Sequence, residues 1–235
     1  MSIKRLLAFG LFLAYGLALL WLWWQRRMTF FLHPDFVPLT IAAMIALFLL
    51  ALALVLSHRT GSQPVHIPWW RVVILAIPLL VVFTVDVRPL SSSAALSRGT
   101  TTGALSIGRK VSAGNFATNP AKRSLYQWVI ALNANPEPEH YVNQPVRIKG
   151  FVIHDPEGPD GQVLLARFIV TCCAADARVL SLPLIKAPLL SDAQNDQWYE
   201  IEGVMQIVTA GDKRQLVVAP TKATPIAQPD DPYEI

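Results

Sequence analysis

Three long apolar runs crowd the first ninety residues, and a two-residue alternation of apolar and polar positions takes over after residue 141. The first run, residues 6–24 (LLAFGLFLAYGLALLWLWW), holds nineteen residues without a charge. As a helix it rises about 28 Å, which matches the hydrocarbon core of a bilayer. Lys4 and Arg5 precede it, Arg26 and Arg27 follow it, and Trp21, Trp23 and Trp24 crowd one end, as at a membrane–water interface. It exceeds an ordinary signal-peptide core and ends in tryptophans instead of a small-residue cleavage site, so it reads as a retained span. The second run, residues 37–56, is apolar apart from Thr40 and is entered through His33-Pro34-Asp35-Phe36-Val37-Pro38, whose prolines suit a helix start. The third, about 69–87, carries Arg71 near its start, Pro78 inside, and Asp86 and Arg88 around its end. Proline is tolerated in membrane helices where neighbours satisfy the freed backbone groups.

Residues 91–118 are rich in Ser, Thr, Gly and Ala with few large apolar side chains, a composition that cannot bury a core and predicts a flexible linker. Asn119-Pro120 then opens an amphipathic helix over 119–135, with Leu125, Trp128, Val129 and Leu132 on one face. Pro136 and Pro138 break it. From 141 to 228 the alternation predicts five strands, at 146–153, 163–172, 178–185, 198–208 and 215–226, separated by turns at 155–158 and 210–212. Gly150 and Gly203 fall inside strands, where glycine marks the bends that let a short sheet close on itself. The expected fold is therefore a membrane α-helical amino-terminal region of three spans (1–90) followed by an all-β, OB-like small barrel, with an open sandwich as the alternative. Residues 229–235 read as a tail.

Composition agrees with the membrane reading: 53% of the 235 residues are hydrophobic and only 15% charged, against roughly a quarter charged in soluble domains. Charge is also segregated. Up to Asn135 there are twelve Lys and Arg against two acids, and from Pro136 onward eight against fourteen. The basic half is thus the membrane half, where cations meet anionic headgroups, and the net charge of +4 does not imply nucleic-acid binding. The β region is acidic, lacks a Lys/Arg stripe, and places Phe151, Phe168, Trp198 and Tyr199 at core-like positions, which excludes a stacking platform. Basic residues flanking the spans balance, four against four, so orientation rests on the first helix. That points to a cytoplasmic amino terminus and an extracytoplasmic β domain in the cell membrane.

Chemistry concentrates in RFIVTCCAADARVLSLPL (167–184), which holds both cysteines of the chain side by side. A disulfide between Cys172 and Cys173 is disfavoured, because neighbouring Cα atoms lie about 3.8 Å apart and relaxed disulfides need more than about 4.4 Å. Three readings stay open. The alternation places Phe168, Val170 and Cys172 on one face, which makes Cys172 a small core residue. A shared soft ion such as zinc suits two thiolates, with Asp176 as a third ligand, but only if the backbone turns, since successive strand side chains point apart. A redox or nucleophilic thiol requires a depressed pKa, for which Arg178 is the nearest cation in sequence. Asp176 reads equally as a turn residue bonding its own backbone. His154, at the end of a strand, is a candidate to approach the cysteines across the barrel. His33, His58, His66 and Asp86 lie in or beside the membrane loops and are candidates for a translocation path or an interface. No phosphate-binding glycine loop, serine elbow, H-E-x-x-H or paired-carboxylate signature is present, so no enzymatic activity is expected.

Several stretches together resemble the YcgQ-type bacterial membrane proteins: FLHPDFVPL (31–39), RPLSSSAALSRG (88–99), GFV (150–152), ARFIVTCCAADARVLSLPL (166–184), WYEIEG (198–203) and the terminal PYEI. The CCAAD block is the most distinctive of them. Asn143-Gln144 departs from the Gly-Lys expected in that family. The resemblance implies a subunit that pairs with a separate multi-pass permease of the YcgR type, and it implies no catalytic residue.

Overall fold

The computed structural model describes residues 3–56, 68–99, 119–156, 162–210 and 213–234. His58, His66, residues 100–118 of the expected linker, and residues 157–158 and 211–212 of the expected turns lie outside the described residues. The chain divides into two compact units, Met1–Pro89 and Leu90–Ile235.

The first unit contains α1 (Ile3–Trp24), α2 (Val37–Leu56) and α3 (Trp69–Thr84). Two apolar segments, Leu6–Trp24 and Pro34–Leu56, are long enough to cross a membrane, while α3 has 16 residues. The helices keep large apolar side chains such as Leu39, Leu49, Ile74 and Leu80 exposed, a surface that is stable against lipid and costly against water. Gly16 lets α1 approach α2, since a Cβ there would lie 2.8 Å from the Phe48 ring. Between α1 and α2, His33 caps a 3-10 turn at Pro34–Phe36 by accepting the Asp35 N–H at 3.3 Å. Contacts between α1 and α3 recur along their length. Tyr15 Oη donates to Leu75 O at 2.6 Å, the Trp21 and Phe83 rings lie 5.9 Å apart, and just past the ends of the two helices Arg27 Nη1 pairs with Asp86 at 3.2 Å. The first of these falls beside Pro78, whose missing N–H leaves the carbonyl four residues earlier, that of Ile74, without its helical partner.

The second unit begins with a short helix, α4 (Ser92–Arg98), where a linker was expected. A serine- and alanine-rich heptapeptide is not a stable helix alone, but this one is docked, with Ala95 wholly buried. Gly99 ends it with φ +83, the left-handed conformation that glycine adopts without strain. The amphipathic helix also starts later than expected. Asn119 caps only a 3-10 turn at Pro120–Lys122, and α5 (Leu125–Ala134) begins after Ser124, whose side chain forms a capping box with Gln127. Leu125, Trp128 and Val129 form its buried stripe.

Among the described residues six strands follow: β1 (Pro145–His154), β2 (Val163–Ile169), β3 (Arg178–Leu184), β4 (Trp198–Ala210), β5 (Lys213–Pro225) and β6 (Tyr233–Glu234). The first five close into a barrel in the cyclic order β1-β2-β3-β5-β4, with β3 and β5 parallel and the other pairs antiparallel. Closure depends on β1 changing partners: residues 145–151 pair with β4 and residues 151–154 with β2. Gly150 sits at the switch, where a Cβ would lie 2.5 Å from Ala166 O. Gly203 sits at the register shift between β4 and β5. Asn143, entering β1, has φ +63, a backbone state open to Asn and Gly.

The barrel has two cores. Inside, Val146, Ile148, Leu165, Leu180, Leu182, Ile201 and Met205 pack with the stripe of α5. Outside, Phe151, Leu164, Phe168 and Val179 are covered by Ala95 of α4 and Tyr233 of β6. The expected tail is therefore partly structural: Arg167 donates to the carbonyls of Asp231, Pro232 and Tyr233 and forms a largely buried ion pair with Glu234 at 3.0 Å. Elsewhere, a charged ladder links Arg147 and Lys149 to Glu200, and Lys222 to Glu202.

Candidate functional site

The cysteines lie in the connection between β2 and β3, not in a strand. β2 ends at Ile169, paired with Arg178 of β3, and the chain leaves the sheet between them. Val170 is still buried, Cys172 is exposed and Cys173 half-buried. The expectation of Cys172 in the core is thus corrected, because the strand stops before reaching it. The register separates two stripes at this hairpin: Phe168 opposes Val179 in the outer core, while Leu180, Leu182 and Leu184 face the interior.

Asp176 organises the turn. Its carboxylate accepts the N–H groups of Thr171 at 3.0 Å and Cys172 at 2.8 Å, and is engaged also by the Cys172 thiol and the Cys173 N–H. Burial is the largest single influence and works to raise its pKa, but these donors together outweigh it and hold the carboxyl below its ordinary value. From the other side, Arg98 of α4 donates to Ala174 O at 3.2 Å and Ala177 O at 2.8 Å, flanking the single 3-10 turn Ala174–Asp176. Cys173 is extended, with φ −154 and ψ 169.

Held this way, the two sulfurs come to the same side of the chain, with Sγ of Cys172 3.6 Å from Sγ of Cys173. The hydrogen bond to Asp176, and then the one to Cys173, push the Cys172 thiol up to about 11. A thiol so raised is protonated at neutral pH, the opposite of what a nucleophilic or redox cysteine requires. Among the described residues, no group of three or more His, Cys, Asp and Glu side chains is gathered in a metal-binding arrangement.

The other candidates are dispersed. His154 pairs with Val163 at the start of β2, six residues and about 20 Å of strand from Ile169, so it lies at the far end from the cysteines. Asn195 holds it there, with Oδ1 accepting the His154 N–H at 2.8 Å and lying 3.0 Å from Nδ1. His33 is buried in its capping role. Asp86 bridges Arg27 and Arg88 past the end of α3. Two residues that sequence reasoning passed over prove central to the turn's support: Arg98, which clamps it, and Asp196, whose carboxylate accepts from Ser92 at the head of α4.

The class defined by these features is a closed five-stranded barrel carrying an exposed vicinal thiol turn, in a chain with apolar membrane-type helices at its amino terminus. Residues 121–234, just under half of the chain, match the family described as the DUF1980 C-terminal domain. That match takes in α5, all six strands and the cysteine turn, and leaves out α4. No match was found among curated proteins or among solved structures.

Proposed function

We propose that the chain is a membrane-anchored, non-enzymatic accessory subunit of a permease, held in the cell membrane by three spans and presenting an OB-like domain on the extracytoplasmic side. The observation that carries this reading is the chemistry of the spans. Residues 6–24 and 37–56 contain no Asp, Glu, Lys, Arg or His, and the third helix, Trp69–Thr84, carries only Arg71, close to its start. Helices so poor in ionisable groups offer a polar solute little to line a path, which supports giving the translocating role to a separate chain. The exposed apolar faces suit lipid or the helices of such a partner. The resemblance to YcgQ-type proteins, which pair with a multi-pass permease, points the same way.

The third span is supported by its register with the first. Tyr15 meets Leu75, Trp21 meets Phe83 and Arg27 meets Asp86, so α1 and α3 run parallel at matching depths. The 16 residues of α3 rise about 24 Å, and Trp69, Trp70 and Arg71 at its start are residues suited to the interface. The OB-like assignment rests on the strand order β1-β2-β3-β5-β4 with the parallel β3–β5 contact.

Affinity purification of the full chain from native membranes in mild detergent tests the reading. Recovery of a stoichiometric multi-pass membrane protein is expected, and repeated recovery of the chain alone would refute it.

A further inference from the structure

We infer that Cys172 and Cys173 form an open half-site for a tetrahedral thiophilic cation of the Zn(II) type, two thiolates supplied by this chain and the remaining ligands by water or by the molecule that delivers or receives the ion. This assignment does not depend on a permease partner.

Three observations converge on it. The first is spacing. A tetrahedral ion with metal–sulfur bonds of about 2.3 Å holds two sulfurs about 3.8 Å apart, whereas a linear two-coordinate ion would need about 4.6 Å. The Sγ–Sγ separation of 3.6 Å therefore fits one edge of a tetrahedron and not a linear site. The second is preorganisation. Asp176 binds successive N–H groups from below and Arg98 binds the carbonyls of Ala174 and Ala177, so the turn that brings the sulfurs together is fixed before any ion arrives. The third is access: Cys172 is exposed, and the turn lies outside both barrel cores.

Asp176 acts here as a positioning residue. Its oxygens are occupied by the backbone donors, and turning one toward a metal would release the turn that pairs the sulfurs. With Asp176 engaged by the backbone, the turn offers two protein ligands, and among the described residues no metal-binding group of three or more His, Cys, Asp and Glu side chains is found. A closed structural zinc site has four protein ligands and holds its ion, whereas two leave half the coordination sphere open to exchange. That is the property of a relay.

The chemistry is a ligand exchange with no change of oxidation state. Two S–H bonds break, two metal–sulfur bonds form, and two protons are released for each divalent ion bound. The protons pass to water.

The test uses the full chain in detergent, reduced with a phosphine so that no competing thiol is present, and titrated with Zn(II) against a chromophoric chelator. One ion per chain is expected. Cys172→Ser and Cys173→Ser should each weaken binding at least about tenfold. X-ray absorption of the zinc-loaded chain should show two sulfur neighbours and lighter atoms in the remaining positions. Absence of stoichiometric binding, a single-serine variant that binds like the parent, or four sulfurs around each ion would overturn the assignment. None of these readouts involves a permease, so they separate this inference from the proposed function.

Discussion

Asp196 grips Ser92 across 104 residues, accepting the backbone N–H with one carboxylate oxygen and the hydroxyl with the other, the latter at 2.9 Å. This is an N-cap supplied from another part of the fold. It explains how seven residues of weak helical character become α4, and α4 in turn carries the Arg98 that clamps the cysteine turn.

Asp196→Ala is expected to cost about 1–2 kcal/mol, the usual loss for removing a cap. Asp196→Asn should cost less, because Asn retains an acceptor and tolerates the φ of +69 found at this position. Hydrogen exchange on the full chain would locate the effect, with amides of α4 losing protection before those of the barrel strands.

Cys172 should alkylate slowly for an exposed cysteine. Raising its thiol from 9.0 to about 11 lowers the thiolate fraction at pH 8 by about a hundredfold. Its rate with iodoacetamide should keep climbing about tenfold per pH unit to near pH 11, beyond where an ordinary thiol levels off. Asp176→Asn removes the carboxylate and should accelerate the reaction at pH 8. Mass spectrometry of peptides quenched over time measures both.

Gly203→Ala should disrupt the barrel, not merely the strand. A Cβ there would strike the Ala219 carbonyl oxygen, with Pro220 Cα 3.1 Å away, and both obstacles are backbone that cannot rotate aside. A loss of about 3 kcal/mol is expected, read as a lower melting temperature by circular dichroism of the full chain in detergent. Gly99→Ala, with open space around it and only a positive φ to satisfy, should cost about 1 kcal/mol.

Acid sensitivity follows from the carboxylates held below their ordinary values. The hydrogen bond from Arg147 is the main cause for Glu200, against partial burial. Because the folded value lies below the unfolded one, the stabilisation is complete above the ordinary carboxylate range and is lost as pH falls through the folded value. The melting temperature should therefore hold down to about pH 5 and drop below about pH 4, and Arg147→Ala should shrink that drop. Asp176 contributes with the same sign.

What the sequence disclosed, and what it hid, divides along the range of the interactions involved. Gly150 and Gly203 announced the bends because a glycine in a strand is anomalous by itself. The strand alternation was local and therefore legible. α4 was not legible, since nothing between Ser91 and Gly99 indicates that an aspartate a hundred residues later completes its first turn. The tail was hidden for the same reason, although Arg167, a lone cation amid apolar strand residues, was a signal that an acidic partner would come from elsewhere. At the cysteines, alternation carried β2 three residues too far, because Val170 continues the apolar period after the chain has left the sheet. The turn reading of Asp176 was available from residue type alone, but the approach of the two sulfurs was not.

Tyr233 Oη accepts the Leu90 N–H at 3.3 Å, so the first residue of the second unit touches its last strand. A unit whose ends meet is topologically free of them. A circular permutant that joins residue 234 to residue 90 through a short linker, with new termini opened between β3 and β4, should retain both cores, and would yield the cysteine turn on a barrel released from its helices.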